Sequence, residues 1–401
     1  QVQLAESNSY IIHPLPGTVQ TTYGVPVTRV NRFWGSPDGA AANVLSSTTG
    51  WEAEVIWQDK AGEGLIDFCE SNGTILTTGK YEGTGETYFH FSPKDENASG
   101  NVLIGVKKKG APASEGYLWS WHLWLTNYDP DAAPPSWQEG VYSYPVTGGA
   151  VHRYAGGTWA TAAYTDKFIM DRDLGAASAN RADGLGKTRG LFYQFGRKDP
   201  FPATSVGLYN VSGTAVTAFT ATANDCIVRV SGSTAIKTAV QYPYNFYVPG
   251  SGDWVSGNSY YNNSWNNPGW YTSVPKAGKS LFDPCPPGWR LPETGTWNTF
   301  TLASVPNAAN YPGDFKTGND QAGWEFYMSG SSGETAFYSA SGYRHVAMGA
   351  VYNERYYGYN WSFSLDGNSA KGRVLHFNGA NVYAPHADHR GSGFSTRCVQ
   401  E

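Results

Sequence analysis

Apolar and polar side chains alternate with a period of two in the first third of the chain. We predict that one face of a strand is formed by Trp51, Ala53, Val55 and Trp57. Residues 117–125 repeat the pattern, and His122 falls on the opposite face of that strand, which indicates a solvent-side or interface residue. Asn72-Gly73 predicts a tight hairpin with positive φ at both corners. The pattern therefore predicts an immunoglobulin-like β-sandwich over residues 1–128.

The alternation stops at a polar, proline-rich segment, residues 129–137, which we interpret as a linker because proline cannot continue a central strand. Residues 138–401 then form a second, larger unit. Its one predicted helix begins near Thr294, whose side chain would cap the amide of Trp297. Residues 204–279 are rich in Gly, Ser, Thr, Asn and Tyr and are interpreted as a long loop insertion with short strand-like cores at 214–222 and 227–230.

Composition supports a mainly β fold with minor α content. Charged residues make up 15% of the chain, while 48 Gly and 23 Pro occupy positions that Lys and Glu would take on helical surfaces. A net charge of −5 gives no positive field, so we exclude nucleic acid as a partner. No apolar stretch is long enough to span a bilayer, and no charged, apolar leader precedes Gln1, so we expect a mature exported chain without a transmembrane segment.

The four cysteines, Cys69, Cys226, Cys285 and Cys398, form no C-x-x-C pair, which argues against a metal or redox role. A low cysteine count in a chain of this size is consistent with an exported protein that uses disulfides sparingly. At most two bridges are possible, and three pairings remain open on spacing alone.

Four blocks of the second unit occur in an order that is typical of one family. They are residues 170–176 (MDRDLGA), 190–202 (GLFYQFGRKDPFP), 283–292 (DPCPPGWRLP) and 393–399 (GFSTRCV). Together they resemble the Fibrobacter succinogenes major paralogous domain, common in exported proteins of Bacteroidetes-type bacteria. The resemblance covers roughly residues 138–401 apart from the insertion and implies a C-type-lectin-like α+β domain. The first unit looks like the sandwich that precedes this domain in surface and fimbria-like proteins.

The resemblance also implies particular contacts. Cys285 at the start of the helix and Cys398 on the last strand would form a disulfide that closes a loop of more than about 100 residues and contributes roughly 4 to 5 kcal/mol in the chain-entropy model. Arg172 would bridge the carboxylates of Asp171 and Asp173. For Cys69 we expect either a bridge or a buried free thiol.

Catalytic constellations do not emerge from the sequence. The cysteines are scattered, no G-x-S-x-G turn occurs, and we predict that the protein is not an enzyme. His386, Asp388 and His389 could hold a metal only if their segment curled around it, and a polar loop is the favoured interpretation. The triplets by which C-type lectins bind calcium are absent, so we predict no cofactor, with calcium at the Asp366-Gly-Asn368 turn as the alternative.

The tip of the insertion offers a candidate ligand site, because flat aromatic rings beside Asn side chains can stack on sugar C–H faces and hydrogen-bond to hydroxyls. The candidate ligand-binding residues are Trp254, Tyr260, Tyr261, Trp265 and Trp270. The alternative is that these rings pack the long loop onto its own domain. Residues 352–361 have a similar composition, but their Tyr-Asn-Trp-Ser run resembles the family's core strand, which favours core packing there.

These observations predict a non-enzymatic protein that is secreted or displayed on the cell surface. The first hypothesis is a fimbrial or pilus-associated adhesin whose C-terminal unit binds a glycan or a surface protein of a host or neighbouring cell. The alternative is a structural filament subunit that joins other copies of itself or other fimbrial subunits by exchange of a terminal strand, residues 1–12 or the last strand.

Overall fold

The structure is a computed structural model. It describes residues 1–39, 42–131, 141–144, 150–155, 158–163, 167–203, 207–216, 226–255, 265, 279–298, 300–306, 315, 319–327, 335–367 and 370–401. For residues 141–144, 150–155, 158–163 and 167–168 it describes the backbone. The fold is mainly β, as the sequence predicts.

The first unit is a sandwich of two sheets. Its strands are β1 (Val2–Gln3), β2 (Ser9–Ile12), β3 (Tyr23–Pro26), β4 (Gly50–Gln58), β5 (Ile66–Phe68), β6 (Tyr81–Thr84), β7 (Tyr88–Pro93), β8 (Gly100–Lys108) and β9 (Trp119–Leu125). One sheet has the order β2-β9-β8-β4-β6 and the other β1-β3-β7-β5. Phe89 of one sheet meets Trp121 of the other edge to face, with ring centroids 5.5 Å apart, so the two faces share an aromatic core.

A β-bulge in β4 contradicts the predicted face of Trp57. Val55 pairs with Ile104 whereas Trp57 pairs with Leu103, so Ile56 is an extra residue that shifts the alternation by one. Trp57 therefore lies on the face opposite Trp51 and turns toward the second unit, while Gln58 moves to the other side and is buried. Period-two reasoning fails here because a bulge has no signature in the apolar pattern.

The hairpin at Asn72-Gly73 exists, but its turn type differs from the prediction. The amide of Gly73 donates to the carbonyl of Glu70, and that of Glu70 to the carbonyl of Thr74. Only Gly73 has positive φ, at +90°, so the corners are Ser71 and Asn72 and Gly73 follows them as a bulge residue. An Asn-Gly pair suits this three-residue loop as well as the two-residue turn.

The second unit consists of short strands in several small sheets. Its strands are β10 (Val141–Tyr144), β11 (Ala150–Ala155), β12 (Thr158–Ala163), β13 (Lys167–Met170), β14 (Tyr193–Gln194), β15 (Ile227–Val230), β16 (Phe246–Pro249), β17 (Trp289–Arg290), β18 (Gly323–Tyr327), β19 (Thr335–Ser339), β20 (Tyr343–Arg344), β21 (Val351–Tyr352), β22 (Tyr357–Leu365), β23 (Lys371–Asn378), β24 (Val382–His389), β25 (Gly393–Phe394) and β26 (Val399–Gln400). The sheets are β10-β13-β26-β17, β14-β25-β20-β21, β22-β23-β24 and the pairs β11-β12, β15-β16 and β18-β19.

Helices are few and short. They are α1 (Arg29–Trp34), α2 (Leu185–Thr188) and α3 (Ile236–Gln241), with 3-10 turns at Ala113–Glu115, Arg181–Asp183, Thr294–Trp297 and Leu302–Ser304. None of the helices that the structure describes is long and apolar enough to cross a membrane.

The predicted helix near Thr294 is only a 3-10 turn, and Thr294 is its first residue rather than its cap. The cap position belongs to Glu293, and Trp297 is buried edge to face against Phe300 at 5.3 Å. Packing of two aromatic side chains, not side-chain capping, therefore fixes this segment.

The described part of the 204–279 insertion is more ordered than a loop. Strand β15 pairs in parallel with β16, and α3 connects them. Strand β15 coincides with the strand-like segment predicted at 227–230, whereas α3 and β16 were not predicted. A second hairpin at residues 209–215 adds Tyr209 to the end of β4 through Gln58, which fastens the insertion to the first unit.

The Cys285–Cys398 disulfide is confirmed. It connects the segment before β17 to the residue before β26, and these two strands are themselves paired. Cys69 and Cys226 are buried and take no part in a disulfide, which agrees with the buried-thiol alternative for Cys69.

The two units bury polar side chains against each other. Lys198 donates to Ser120 and Asp199, the last at 2.6 Å, and its ammonium lies 4.4 Å from the ring centre of Trp119. The N-terminal segment adds a second attachment, because the side chains of Asn8 and Ser9 donate to backbone carbonyls of residues 281–284. The junction is therefore part of one continuous core.

We expect Lys198 to make stability depend on pH. Burial, which outweighs the attraction of Asp199, lowers the pKa of Lys198 to about 8. Between this value and the unfolded value near ~10.5 the unfolded chain binds more protons, so the free energy of unfolding rises with pH. Denaturant unfolding of wild type and Lys198→Met should show a stability difference that grows by roughly 1 kcal/mol per pH unit from about pH 8 to 10.

Lys94→Met is the matched control for this experiment, since Lys94 pairs with Asp67 at the surface. This variant keeps Lys198, so the rise of the unfolding free energy between about pH 8 and 10 should persist in it. Parallel profiles for wild type and Lys198→Met would contradict the assignment of a depressed pKa to Lys198.

Candidate functional site

The two insertion-tip residues within the described part of the chain are buried. The Trp254 indole donates to the carbonyl of Phe195 at 2.7 Å, and the Trp265 indole donates to that of Arg197 at 3.0 Å. Both rings are nearly inaccessible to solvent, so neither offers a face for ligand stacking, and the loop-packing alternative describes them better. Tyr260, Tyr261 and Trp270 lie outside the described residues.

A column of stacked rings runs instead from the core of the second unit to its surface. Phe394 stacks on Tyr359 with centroids 4.3 Å apart, and Tyr359 stacks on His376 at the same distance with nearly parallel planes. His376 in turn stacks on Tyr383 at 5.1 Å. The inner rings are buried and Tyr383 is 42% exposed, so a rigid stack supports an accessible aromatic face.

Strand register creates this column. Tyr359 of β22 pairs with His376 of β23, which pairs with Tyr383 of β24, so three neighbouring strands place rings side by side on one face. Tyr343 and Tyr357 flank the column, with centroids 5.2 Å from Tyr359 and 5.4 Å from His376. Each ring is thus fixed by its neighbours before any ligand arrives.

Further exposed side chains come from residues 348–356, where the ring of Tyr352 lies 5.2 Å from that of His345, which lies 5.9 Å from that of Tyr343. Tyr352 and Tyr356 are 39% and 41% exposed, and Met348 is 45% exposed. Together with Tyr383 they are four of the nine exposed large hydrophobic residues of the described chain, and they include all three such tyrosines. We call this set the aromatic platform. Its members are Tyr343, Met348, Tyr352, Tyr356, Tyr357, Tyr359, His376 and Tyr383.

The turn that carries Tyr356 has an uncommon backbone. Asn353 and Arg355 have φ of +54° and +71°, the left-handed region that non-glycine residues rarely adopt. Ion pairs hold this turn in place, since Glu354 pairs with Arg189 and Arg355 with Asp320. Strained residues that surrounding contacts hold rigidly are common at binding sites.

The platform is largely uncharged near neutral pH. Burial, reinforced by His386, lowers the pKa of His376 to about 3, so its ring is neutral. Burial also lowers the pKa of His386 and raises that of Asp388. Neither ring nitrogen of His376 has a hydrogen-bond partner among the described residues. Such a surface suits neutral ligands that present C–H faces and hydroxyl groups.

The predicted Arg172 bridge and the two possible metal sites are not formed as the sequence suggests. Arg172 binds both oxygens of Asp171, whereas Asp173 turns inward and pairs with Arg397, so the predicted bridge is wrong.

His386, Asp388 and His389 lie in strand β24 rather than in a loop. Asp366 pairs with Arg373 at 2.7 Å, and Asn368 lies outside the described residues. Nowhere in the described ranges do three His, Cys, Asp or Glu side chains converge as metal ligands.

His122 is buried at the junction of the two units, which agrees with the interface alternative. Its Nε2 lies 2.9 Å from the Oδ1 of Asn101, and burial lowers its pKa to about 3. A neutral ring in this position is a structural group.

Sequence reasoning missed most of the platform. Tyr352, Tyr356 and Tyr357 lie in the segment for which core packing was favoured, and that expectation holds for Tyr359 and Trp361 but not for Tyr352 and Tyr356. His376 and Tyr383 carried no signal, although a tyrosine-rich segment before a long alternating strand could have drawn attention to this sheet.

Neither a protein-family model nor a curated protein sequence matches this chain.

Proposed function

We propose that the chain is a non-enzymatic surface protein of the fimbria-associated adhesin type that binds a neutral glycan through its C-terminal unit. The observation that carries this proposal is the exposed ring of Tyr383 at the end of a buried aromatic stack. A preorganised ring loses little conformational entropy on binding, and its flat face complements the apolar C–H face of a sugar.

The proposal also rests on the family resemblance of residues 138–401. An immunoglobulin-like sandwich that holds a C-type-lectin-like domain away from an exported assembly fits an adhesin. In this arrangement the first unit acts as a support and the platform faces outward, where a glycan of a host or neighbouring cell would be met. No catalytic group takes part in this function.

Replacement of Tyr383 tests the proposal. Binding of the purified chain to a glycan array should identify a neutral ligand, and Tyr383→Ala should weaken its binding at least about tenfold, equal to about 1.4 kcal/mol. Tyr383→Phe keeps the ring and should keep most of the affinity. Isothermal titration calorimetry of wild type and both variants measures these differences.

Ile75→Ala is the control, because Ile75 is a similarly exposed apolar side chain in the first unit, and its affinity should equal that of wild type. Absence of any glycan ligand, or wild-type affinity of Tyr383→Ala, would reject the platform as a glycan site.

A structural filament subunit is the second candidate, favoured by the position of β2. Among the strands that the structure describes, β2 lies at the edge of its sheet and pairs only with β9, in parallel. It comes from the N-terminal segment, so a second copy could supply it. Sheared surface material run unboiled on a denaturing gel, with electron microscopy of the same sample, separates the two candidates. A ladder with the chain along whole filaments supports a subunit, whereas labelling at filament ends supports an adhesin.

A further inference from the structure

A cavity of about 220 Å³ lies between the two units. None of the platform residues lines it. Strands β4, β8 and β9 form one wall, and residues 175–208 contribute the other. The polar groups important for its chemistry belong to Asp59, Asn101, Gly175 and Arg189. Clefts between domains, lined by aromatic rings and a few convergent polar groups, are preferred places for small ligands.

Asp59 places a carboxyl group in the cavity, and no Lys or Arg of the described residues pairs with it. Its oxygens accept hydrogen bonds from the backbone and side-chain amides of Asn101 at 2.7 and 2.8 Å, which leaves further lone pairs free. No Lys or Arg is among the groups that act on its pKa, which burial raises. Even partial withdrawal of a carboxylate from water without a countercharge is costly, and a bound cation would offset that cost.

The position of this carboxylate is fixed from both sides. Asn101 donates its second amide hydrogen to the carbonyl of Gly175 and accepts at Oδ1 from His122, so the amide that holds Asp59 is itself locked across the junction. Gly100 has φ of +147°, and a Cβ there would lie 2.2 Å from the Oδ1 of Asp59. Glycine at this position therefore makes room for the carboxylate.

The guanidinium of Arg189, which also lines the cavity, already has a carboxylate partner. Arg189 pairs with Glu354, so it does not compensate Asp59. Solvent reaches the cavity, because Asp59 is only half-buried and the lining residues Ser99, Ala177 and Gly186 are exposed. An apolar cavity of about 150 Å³ holds benzene, so this larger cavity, which is open to solvent, has room for the ammonium end of a ligand and the carbon atoms next to it.

We propose that this junction cavity binds a small molecule or side chain that carries a primary ammonium group. The ammonium would donate to Asp59, and the apolar part would lie against the apolar lining of the cavity, which includes Ala177 and Leu191. The shared chemistry covers an alkylammonium group, such as the end of a lysine side chain, and an amino sugar. This site is independent of the proposed glycan platform.

Two matched pairs of probes test the proposal on the wild-type chain. n-Butylammonium is compared with 1-butanol, and glucosamine with glucose, by isothermal titration calorimetry at pH 7. At least one amine should bind at least about tenfold more tightly than its neutral counterpart. Preference for n-butylammonium alone identifies an alkylammonium site, and binding of glucosamine identifies an amino-sugar site. Equal binding of amine and neutral partner, or no binding of either amine at about 20 mM, overturns the proposal.

Asp59→Asn removes the charge and keeps the shape, and it should weaken amine binding at least about tenfold. Asp67→Asn is the matched control, because Asp67 lies outside the cavity beside Lys94, and it should bind like wild type. Unchanged amine affinity in Asp59→Asn also overturns the proposal. Tyr383→Ala should leave amine binding unchanged, so failure of the glycan proposal and failure of this one are distinguishable.

Discussion

Replacement of both bridged cysteines by alanine should lower the free energy of unfolding by about 4 to 5 kcal/mol. The Cys285–Cys398 bond closes a loop with a sequence separation of 113 residues. In the chain-entropy model a loop of this length restricts the unfolded ensemble by about 4.7 kcal/mol at 25 °C. Urea denaturation of wild type and of the Cys285→Ala, Cys398→Ala double variant measures the difference, and reduction of wild type should reproduce most of it.

Cys69→Ala combined with Cys226→Ala is the control for this experiment. These cysteines are equally sheltered but unbridged, so their replacement removes two thiols without opening a loop. This double variant should lose clearly less free energy of unfolding than the variant that lacks the Cys285–Cys398 bond. Equal losses in the two double variants would mean that packing of the sulfur atoms, and not the covalent link, stabilises the fold.

Asp173→Ala should destabilise the protein by about 3 to 5 kcal/mol, because it removes the carboxylate that pairs with a buried guanidinium. Asp173 accepts from Arg397 at 3.2 Å and from Asn360 at 2.9 Å, and the Arg397 side chain is 1% exposed. The guanidinium also lies 3.6 Å from the ring centre of Tyr338 and donates to the carbonyl of Phe337. Denaturant unfolding measures the loss, and circular dichroism checks that the variant still folds.

Asp320→Ala provides the comparison at the surface. Asp320 pairs with Arg355, but its side chain is 67% exposed, so water replaces the partner and the cost should be within about 1 kcal/mol. Asp173→Ala combined with Arg397→Met should recover part of the lost stability. A single Asp173→Ala variant as stable as Asp320→Ala would contradict the role of this pair.

The strands of the first unit were predictable because each one carries its own local pattern. Trp51 and Ala53 alternate with charged residues on a half-buried sheet, and this period holds until the bulge at Ile56. The bulge is set by how β4 meets β8 and by the turn of Trp57 toward the second unit. The position of the bulge depends on the strand that β4 pairs with, so the alternation within β4 alone could not reveal it.

The candidate site was harder to predict because its parts are distant in sequence. Tyr359, His376 and Tyr383 become neighbours only through the register of three strands. Trp254 and Trp265 show the opposite case, because their Asn- and Gly-rich surroundings resemble an exposed loop although both indoles are buried. Local composition describes how polar a segment is, whereas tertiary packing decides which of its rings remain accessible.

The disulfide has a mechanical consequence for the sheet that carries the platform. Tension along the backbone that arrives on one side of the Cys285–Cys398 bond passes through the sulfur atoms to the other side. The 112 residues between the two cysteines, whose sequence separation is 113, cannot lengthen the chain, although fully extended they would add about 380 Å. Strands β22, β23 and β24 all lie inside this covalent loop. A pull on the flanking segments therefore leaves the stacked rings unloaded, and the sheet keeps its shape under a force that would unravel an open chain.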